Sequence, residues 1–404
     1  MMAVKRAEET GERWPWRSLA AMVLAFLALQ VVLFWLVDDP KYWGAGYKPM
    51  WLGIAALMQE HGIFNVWSGY PPLFPTLFYA AYRLAGGDGE TTWLIYQAFN
   101  LALIVLTTFA VYKIVRRSAA AQPAILSAAG YLLVNLSWRS RLSIGLSEEM
   151  FNYLPVCLSA WAFLWLLEKR VFPSAIACGL GVAAKVYPAL LLLPVYLSLD
   201  LRRAMRYLIY VAVVCLAVFG PFFAANPPIF LSAYYWNSAV GAYESPYTFP
   251  QKVVPPGPEF FEMTQVVPPG KVESPLLTVI SFAALGLLLW LMRGRVRSDL
   301  DLLDSALLTL LVYLLLSRGF SSYYILWLMP FISARYLGWR GFLLNAVLLL
   351  VGNARLSAIW LFWPSIFARH ILLALMAARL LYLWARRQGT ASLQVIGNEI
   401  CKRQ

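Results

Sequence analysis

The sequence predicts an all-α polytopic membrane protein, and three observations carry that prediction. Of 404 residues, 61% are hydrophobic and only 13% are charged, too apolar a balance for a soluble domain of this size, whose core needs polar cover. Apolar runs of about 14 to 25 residues recur along the chain, against the roughly 20 that cross a bilayer as a helix. Most of the 33 Lys and Arg sit in short clusters between those runs, as the enrichment of basic residues in cytoplasmic loops requires. An outer-membrane barrel would show short alternating segments instead. The same clustering accounts for the net charge of +13 without a nucleic-acid partner.

The first span is expected over 18–37. Lys5, Arg6, Arg13 and Arg17 precede it and hold the N-terminus on the cytoplasmic side. It reads as a retained span rather than a cleaved signal, because no small-residue cleavage site follows it and it runs straight into Val37-Asp38-Asp39-Pro40. Pro40 stops the helix, so Asp38 and Asp39 emerge on the far face. Residues 38–90 then form a first extracytoplasmic loop. Within it Met50, Trp51, Ile54, Leu57 and Met58 have helical spacing, which suggests an interfacial helix lying on the membrane. The motif Tyr70-Pro71-Pro72-Leu73 leads into 73–85, too short to cross. A crossing there would also put Lys113, Arg116 and Arg117 outside, so the segment reads as re-entrant or juxtamembrane.

The remaining spans alternate between basic clusters: 91–114 inward, 121–138 outward, and 148–167 back to Glu168-Lys169-Arg170. Residues 171–199 lie between two basic clusters and must cross an even number of times. A hairpin of two short helices puts its tip at Lys185-Val186-Tyr187-Pro188, on the outer face. Then follow 205–223, 275–292, 300–316, 322–334, 341–353 and 357–384, for about twelve spans in one integral membrane domain, 1–404, with both termini cytoplasmic. Between 224 and 274 lies a long Pro- and aromatic-rich external loop that repeats Val-Val-Pro-Pro-Gly at 253–257 and 266–270. A loop of that length reads as a lid or binding element.

Some chemistries find little support. Only two histidines are present, and three of the four cysteines (Cys157, Cys178 and Cys215) lie in apolar runs with no CxxC pair, so neither a zinc nor a redox site is indicated. The informative residues are ionisable groups that the topology puts at the outer ends of spans: Asp38, Asp39, Arg139, Arg141, Glu148, Glu149, Lys185, Arg318 and Arg355. Taken singly, each has an ordinary explanation as a helix cap, a headgroup contact or a snorkelling side chain. Charge at that depth is expensive and usually faces a polar cavity, so their shared sidedness carries the inference. Arg369-His370 stands apart, inside the last span.

A polar site at the outer headgroup level suits a sugar carried on polyprenyl phosphate. Arg or Lys would hold the phosphate, and one Asp would take the proton of an acceptor hydroxyl. A phosphate leaving group needs no protein acid, unlike the two-carboxylate arrangement of hydrolases. No cofactor is expected, although a divalent ion on Asp38 and Asp39 is compatible with their oxygen ligands.

Several stretches resemble glycosyltransferases of the GT-C fold that use polyprenyl-phosphate sugars. Asp38-Asp39, Tyr42 and Tyr70-Pro71-Pro72-Leu73 look like the first external loop of that superfamily. Ser140-Arg141 with Ser147-Glu148-Glu149 is similar to the Ser-Thr-Arg-Gly-Asn-x-Glu region of the GPI mannosyltransferase I catalytic subunits. Lys185-Val186-Tyr187-Pro188 matches their Lys-Ile-Tyr-Pro element, which bacterial polyprenyl-phosphate-mannose-dependent mannosyltransferases share. Ser321-Ser322-Tyr323-Tyr324-Ile325-Leu326-Trp327 resembles Thr-Ser-Gln-Tyr-Phe-Leu-Trp. The chain differs in having adjacent acids in place of Thr-Asp-x-Asp and in lacking the Gly-Asn pair, so the GPI pathway is not implied.

The resemblance implies an inverting transferase in the cell membrane with an extracytoplasmic active site. Its partners are membrane lipids, a polyprenyl-phosphate-linked sugar (mannose by the resemblance) and a lipid or glycan acceptor. Asp38 or Asp39 is the catalytic base, with Asp38 slightly favoured by Tyr42. Arg141, Lys185 and Arg318 bind the donor phosphate. Tyr42, Tyr70, Glu148, Glu149, Tyr187, Tyr323 and Tyr324 line the substrate site. A transporter or flippase of a lipid-linked or anionic solute is the competing reading; it predicts inverted repeats and a midplane site, whereas the charges here gather near one face. A non-catalytic scaffold leaves those charges unexplained.

Overall fold

The computed structural model describes residues 14–37, 47–136, 152–239, 264, 275–317, 322–352 and 362–403, all of whose regular elements are helical. Fifteen α-helices follow one another: α1 (Trp14–Val37), α2 (Tyr47–His61), α3 (Leu73–Leu84), α4 (Gly89–Arg116), α5 (Ala121–Val134), α6 (Tyr153–Leu167), α7 (Val171–Ala184), α8 (Leu192–Ser198), α9 (Leu201–Ala225), α10 (Pro227–Ala239), α11 (Pro275–Met292), α12 (Asp299–Leu316), α13 (Met329–Arg335), α14 (Trp339–Gly352) and α15 (Phe362–Arg403). Two 3-10 turns, Tyr187–Leu191 and Ser322–Trp327, lead into α8 and α13.

Among the described residues, three stretches are long and apolar enough to cross a membrane by length and composition: Gly89–Arg116, Leu201–Ala225 and Pro364–Arg387. Shorter apolar helices accompany them, including α5, α6 and α7. At about 1.5 Å per residue, α5 is about 21 Å long, shorter than the span expected over 121–138. The short α3, about 18 Å, cannot cross a hydrocarbon core of about 30 Å. On α9, Leu201, Met205, Ile209, Val213, Leu216 and Phe223 are all exposed. Their spacing makes one continuous apolar face, which suits lipid.

Side-chain contacts bring the predicted cytoplasmic ends of the helices together. Arg117 after α4 pairs with Asp299 of α12 at 2.7 Å. Trp16 of α1 packs on Tyr112 of α4, and Arg295 lies over the ring of Trp384 of α15. Asp304 of α12 is fully buried and accepts from Arg335 Nε at 2.5 Å and from Arg387 Nη2. Arg387 also meets Asp301 at 3.3 Å. Asp301 in turn closes a capping box with Ser298 at the start of α12, satisfying two backbone donors there. This basic end is therefore a real layer of the bundle. At the other end Gln30 of α1 donates to the Asn135 carbonyl just past α5, at 3.1 Å.

The hairpin expected over 171–199 forms as α7, a break at Lys185 and the 3-10/α8 return. Lys185 is extended (φ −163°, ψ 137°), and its N–H caps the Gly181 carbonyl at 2.8 Å. A Cβ on Gly181 would lie 3.1 Å from the Pro188 ring, so glycine lets the tip fold back this tightly. Gly179 does the same for the approach of α9, where a Cβ would meet Val214 at 2.8 Å.

Two expectations need correction. The apolar stripe of α2 is not left for the membrane surface: Trp51, Ile54 and Met58 are buried against Phe74 and Phe78 of α3, Trp93 and Tyr96 of α4, and Ile229 and Ala233 of α10. Aromatic edges can satisfy one another here as well as lipid could. Further, the segment 224–274 does not begin as a loop. Asn226 accepts from Ile229 N–H and starts α10, and the same Asn226 donates to Asn65, tying α10 to the α2–α3 connection. The rest of 224–274, apart from Thr264, lies outside the described residues.

Candidate functional site

At the end of the bundle opposite the Asp304 cluster, four separated stretches meet at one lysine. The hairpin tip presents Lys185, whose Nζ donates to Asn152 Oδ1 at 2.8 Å. Asn152 is fully buried just before α6. Trp327, in the 3-10 turn before α13, donates its Nε1–H to the same oxygen at 3.3 Å. Rings of Tyr70, Tyr324 and Trp327 lie 5.3, 5.2 and 5.5 Å from Nζ, within the range in which a cation is drawn to a ring face. Tyr187 stacks on Trp327 at 3.9 Å and 6° between planes, and Tyr324 stacks at 4.2 Å and 26°.

Each part is held from behind. Tyr70 leans on Trp51 at 5.5 Å and on Phe74 at 6.2 Å, so the packed α2–α3 cluster fixes the connection that carries it. Lys48 pairs with Glu90 at 2.6 Å and ties α2 to the start of α4. Tyr313 of α12 lies 6.5 Å behind Trp327. The two 3-10 turns bring Tyr187 and Trp327 face to face; such turns cluster side chains on one side because i and i+3 eclipse. The result is an ammonium held in place by an amide oxygen and aromatic faces.

Of the residues expected at the site, Tyr70, Lys185, Tyr187 and Tyr324 converge as described, and Tyr323 lies in the 3-10 turn Ser322–Trp327. Asp38, Asp39, Tyr42, Arg141, Glu148, Glu149 and Arg318 lie outside the described residues. Two members escaped the reading of the sequence. Trp327 ended a motif whose tyrosines alone drew attention. Asn152 is neutral, and its only signal was a polar side chain at the edge of an apolar run, three to four positions after Glu148-Glu149 in the sequence.

An all-helical membrane bundle with a lysine–aromatic site at one end defines a class, and the family comparison specifies it. The profile of glycosyltransferase family 87 matches residues 67–318, more than half of the chain. The protein belongs to that family, a GT-C family of polyprenyl-phosphate-sugar-dependent glycosyltransferases. No curated protein matches the chain.

Proposed function

We propose that the protein transfers a sugar, mannose by resemblance, from polyprenyl phosphate to a hydroxyl of a lipid or glycan acceptor on the extracytoplasmic face. The observation that carries this reading is the Lys185 site, which lies inside the family-matched region and opposite the end where the basic clusters gather. Asp38 or Asp39 takes the proton of the acceptor hydroxyl. The hydroxyl oxygen attacks the anomeric carbon from the side opposite the phosphate, and the bond from that carbon to the phosphate oxygen breaks. The configuration inverts, and polyprenyl phosphate leaves with the electron pair. Lys185, with Arg141 and Arg318, stabilises the departing charge, where preorganised cations act most strongly. Support for the acids comes from the first helix: α1 ends at Val37 at the same end of the bundle as Lys185, through the Gln30–Asn135 contact.

The test is sugar transfer by the purified protein from polyprenyl-phosphate donors in mixed micelles, with Asp38→Ala and Asp39→Ala assayed separately. One variant is expected to lose activity by at least about a hundredfold, the scale of general-base catalysis. Full activity in both sinks the base assignment. Movement of a lipid-linked sugar across vesicles without transfer to any acceptor favours the transporter reading instead.

A further inference from the structure

At the basic end of the bundle, α4 and α6 carry a group of side chains that belongs neither to the Asp304 cluster nor to the Lys185 site. Lys113 lies in the last turn of α4, and its Nζ sits 5.5 Å from the ring of Trp161 on α6. Trp161 packs on Trp165, one turn further along α6, at 5.2 Å. The guanidinium of Arg170, just past α6, lies 5.9 Å from the Trp165 ring. Together they make a ladder of cation, indole, indole and cation across two helices, with both cations in the range of attraction to a ring face. Trp161 also donates its Nε1–H to the Leu106 carbonyl of α4 at 3.1 Å, which lays the indole from α6 onto α4.

Three observations say what such a ladder would meet. Phe99, Leu106 and Lys113 follow one another at seven-residue spacing on α4, close to two turns each, so they share one face. Phe99 and Leu106 are exposed, and the stripe runs from hydrocarbon to ammonium towards the basic end. Next, the Lys113 ammonium is held over the indole that bonds Leu106, whereas a snorkelling lysine would extend past the end of the helix. Among the described residues it meets no carboxylate; Glu168 approaches only Arg170, at 3.7 Å. Last, Lys169 closes α6 in the left-handed region, φ 58°, with its N–H on the Leu166 carbonyl and the Arg170 N–H on the Trp165 carbonyl. Glycine is the usual residue at such a helix end, and a side chain there costs stability. A lysine kept at that cost points to a use for its charge.

We propose that this ladder is a binding site for an anionic phospholipid, whose headgroup phosphate is drawn to Lys113, Lys169 and Arg170 and whose acyl chain follows Leu106 and Phe99. Basic residues near a membrane surface attract anionic lipid, each adding its own share, and indoles sit by preference at headgroup level. The bound lipid bridges α4 and α6 at the end of the bundle opposite Lys185. It is neither donor nor acceptor of the proposed transfer, and its binding stands or falls apart from that reaction.

The test uses phosphatidylglycerol with a diazirine near the start of one acyl chain, photolysed with the full-length protein in phosphatidylcholine nanodiscs, and adducts mapped by peptide. Adducts on 99–113 and 161–172 are expected, competed by unlabelled phosphatidylglycerol but not by added phosphatidylcholine or by free glycerol phosphate. Equal competition by phosphatidylcholine makes the contact ordinary bilayer lipid, and competition by glycerol phosphate makes the site one for a free anion; either overturns the assignment. The double variant Lys113→Gln/Arg170→Gln is expected to lower labelling of these peptides about thirtyfold, the effect of two cations at an anionic surface. Lys169→Gly, which relieves the backbone, should lower it about fivefold while the melting temperature stays level or rises. Arg202→Gln/Arg206→Gln removes the same charge from exposed positions of α9 and should leave labelling within about twofold. Full labelling in either of the first two variants, or an equal loss in all three, overturns the site.

Discussion

The two ends of the bundle surround their charged side chains with different groups. At the basic end Asp304 is completely enclosed and is met by Arg335 and Arg387, with Asp301 reinforcing Arg387. Charge is matched to charge, and the network joins α12 to α13 and α15. At the other end Lys185 is met by a neutral amide oxygen and by the faces of Tyr70, Tyr324 and Trp327. Ring faces and an amide oxygen hold the cation in position. The first arrangement is a clasp that gains little by binding anything further. The second gathers ring faces and an amide around one cation, the arrangement on which the proposed donor reading rests, and so the same bundle has a structural end and a proposed receptive end.

The largest effect should come from breaking the clasp. Asp304→Ala takes the shared buried carboxylate from Arg335 and Arg387 and leaves Arg387 with Asp301, a loss of about 3–5 kcal/mol. Thermal unfolding of the purified protein in detergent should show it, with sugar transfer per folded molecule little changed at low temperature. If the variant instead melts with wild type, the cluster is not a clasp. Breaking the receptive end should give the converse. On the proposed reading, Lys185→Gln removes a charge-assisted contact to the donor phosphate worth roughly 1.5–3 kcal/mol, so kcat/KM for transfer should fall about tenfold to a hundredfold while the melting temperature moves by only a few degrees. A large loss of stability with unchanged kcat/KM would make Lys185 a packing residue.

These contrasts were only partly open to sequence reading. The helical architecture and the hairpin over 171–199 followed from hydropathy and from the placement of Arg, because those signals are local and repeat along the chain. Tyr70, Lys185 and Tyr324 stood out as polar or aromatic residues at span ends. Their convergence was not legible, since it depends on the two 3-10 turns and on Asn152, a neutral residue that no charge pattern marks. The fate of the α2 stripe was equally hidden: Trp51, Ile54 and Met58 have the spacing of a membrane-surface helix, and only tertiary packing against α3 and α10 distinguishes one use from the other. Asp304 lies among leucines in the second turn of α12, and its partners come from helices distant in sequence. Arg369-His370 looked like mid-span charge. The Asp304–Arg387 pair sets the register of α15, and Arg369, fully buried, lies about 27 Å further along that helix at about 1.5 Å per residue, towards the receptive end.

A finer test of the receptive end is Trp327→Leu, which removes the stack on Tyr187, one ring face near Lys185 and the second donor to Asn152. Cation–ring contacts are worth about 0.5–2 kcal/mol, so kcat/KM should fall about tenfold, less than for Lys185→Gln. Trp327→Phe, which keeps a ring, should recover part of the loss. Equal damage from Leu and Phe would assign the effect to the Nε1–Asn152 bond and not to the ring faces.

The smallest effect concerns a carboxylate outside both networks. Asp88 is exposed and caps α4, accepting from the Thr91 N–H at 2.7 Å. Its hydrogen bonds with Thr91 hold the carboxyl below its ordinary value of 3.8. Because the folded value is the lower one, the cap stabilises the helix start above about 3.8 and is lost as the pH falls through the folded value. Hydrogen exchange at the Thr91 amide should therefore be faster in Asp88→Ala than in wild type near neutral pH, and the two should converge in the range below 3.8. Unlike Asp304, which is enclosed by its arginines, this carboxylate is open to solvent, so the whole change should stay within the first turn of α4 and leave both the melting temperature and sugar transfer unaltered. A difference that persists unchanged well below that pH would show that the side chain caps α4 by shape rather than by charge.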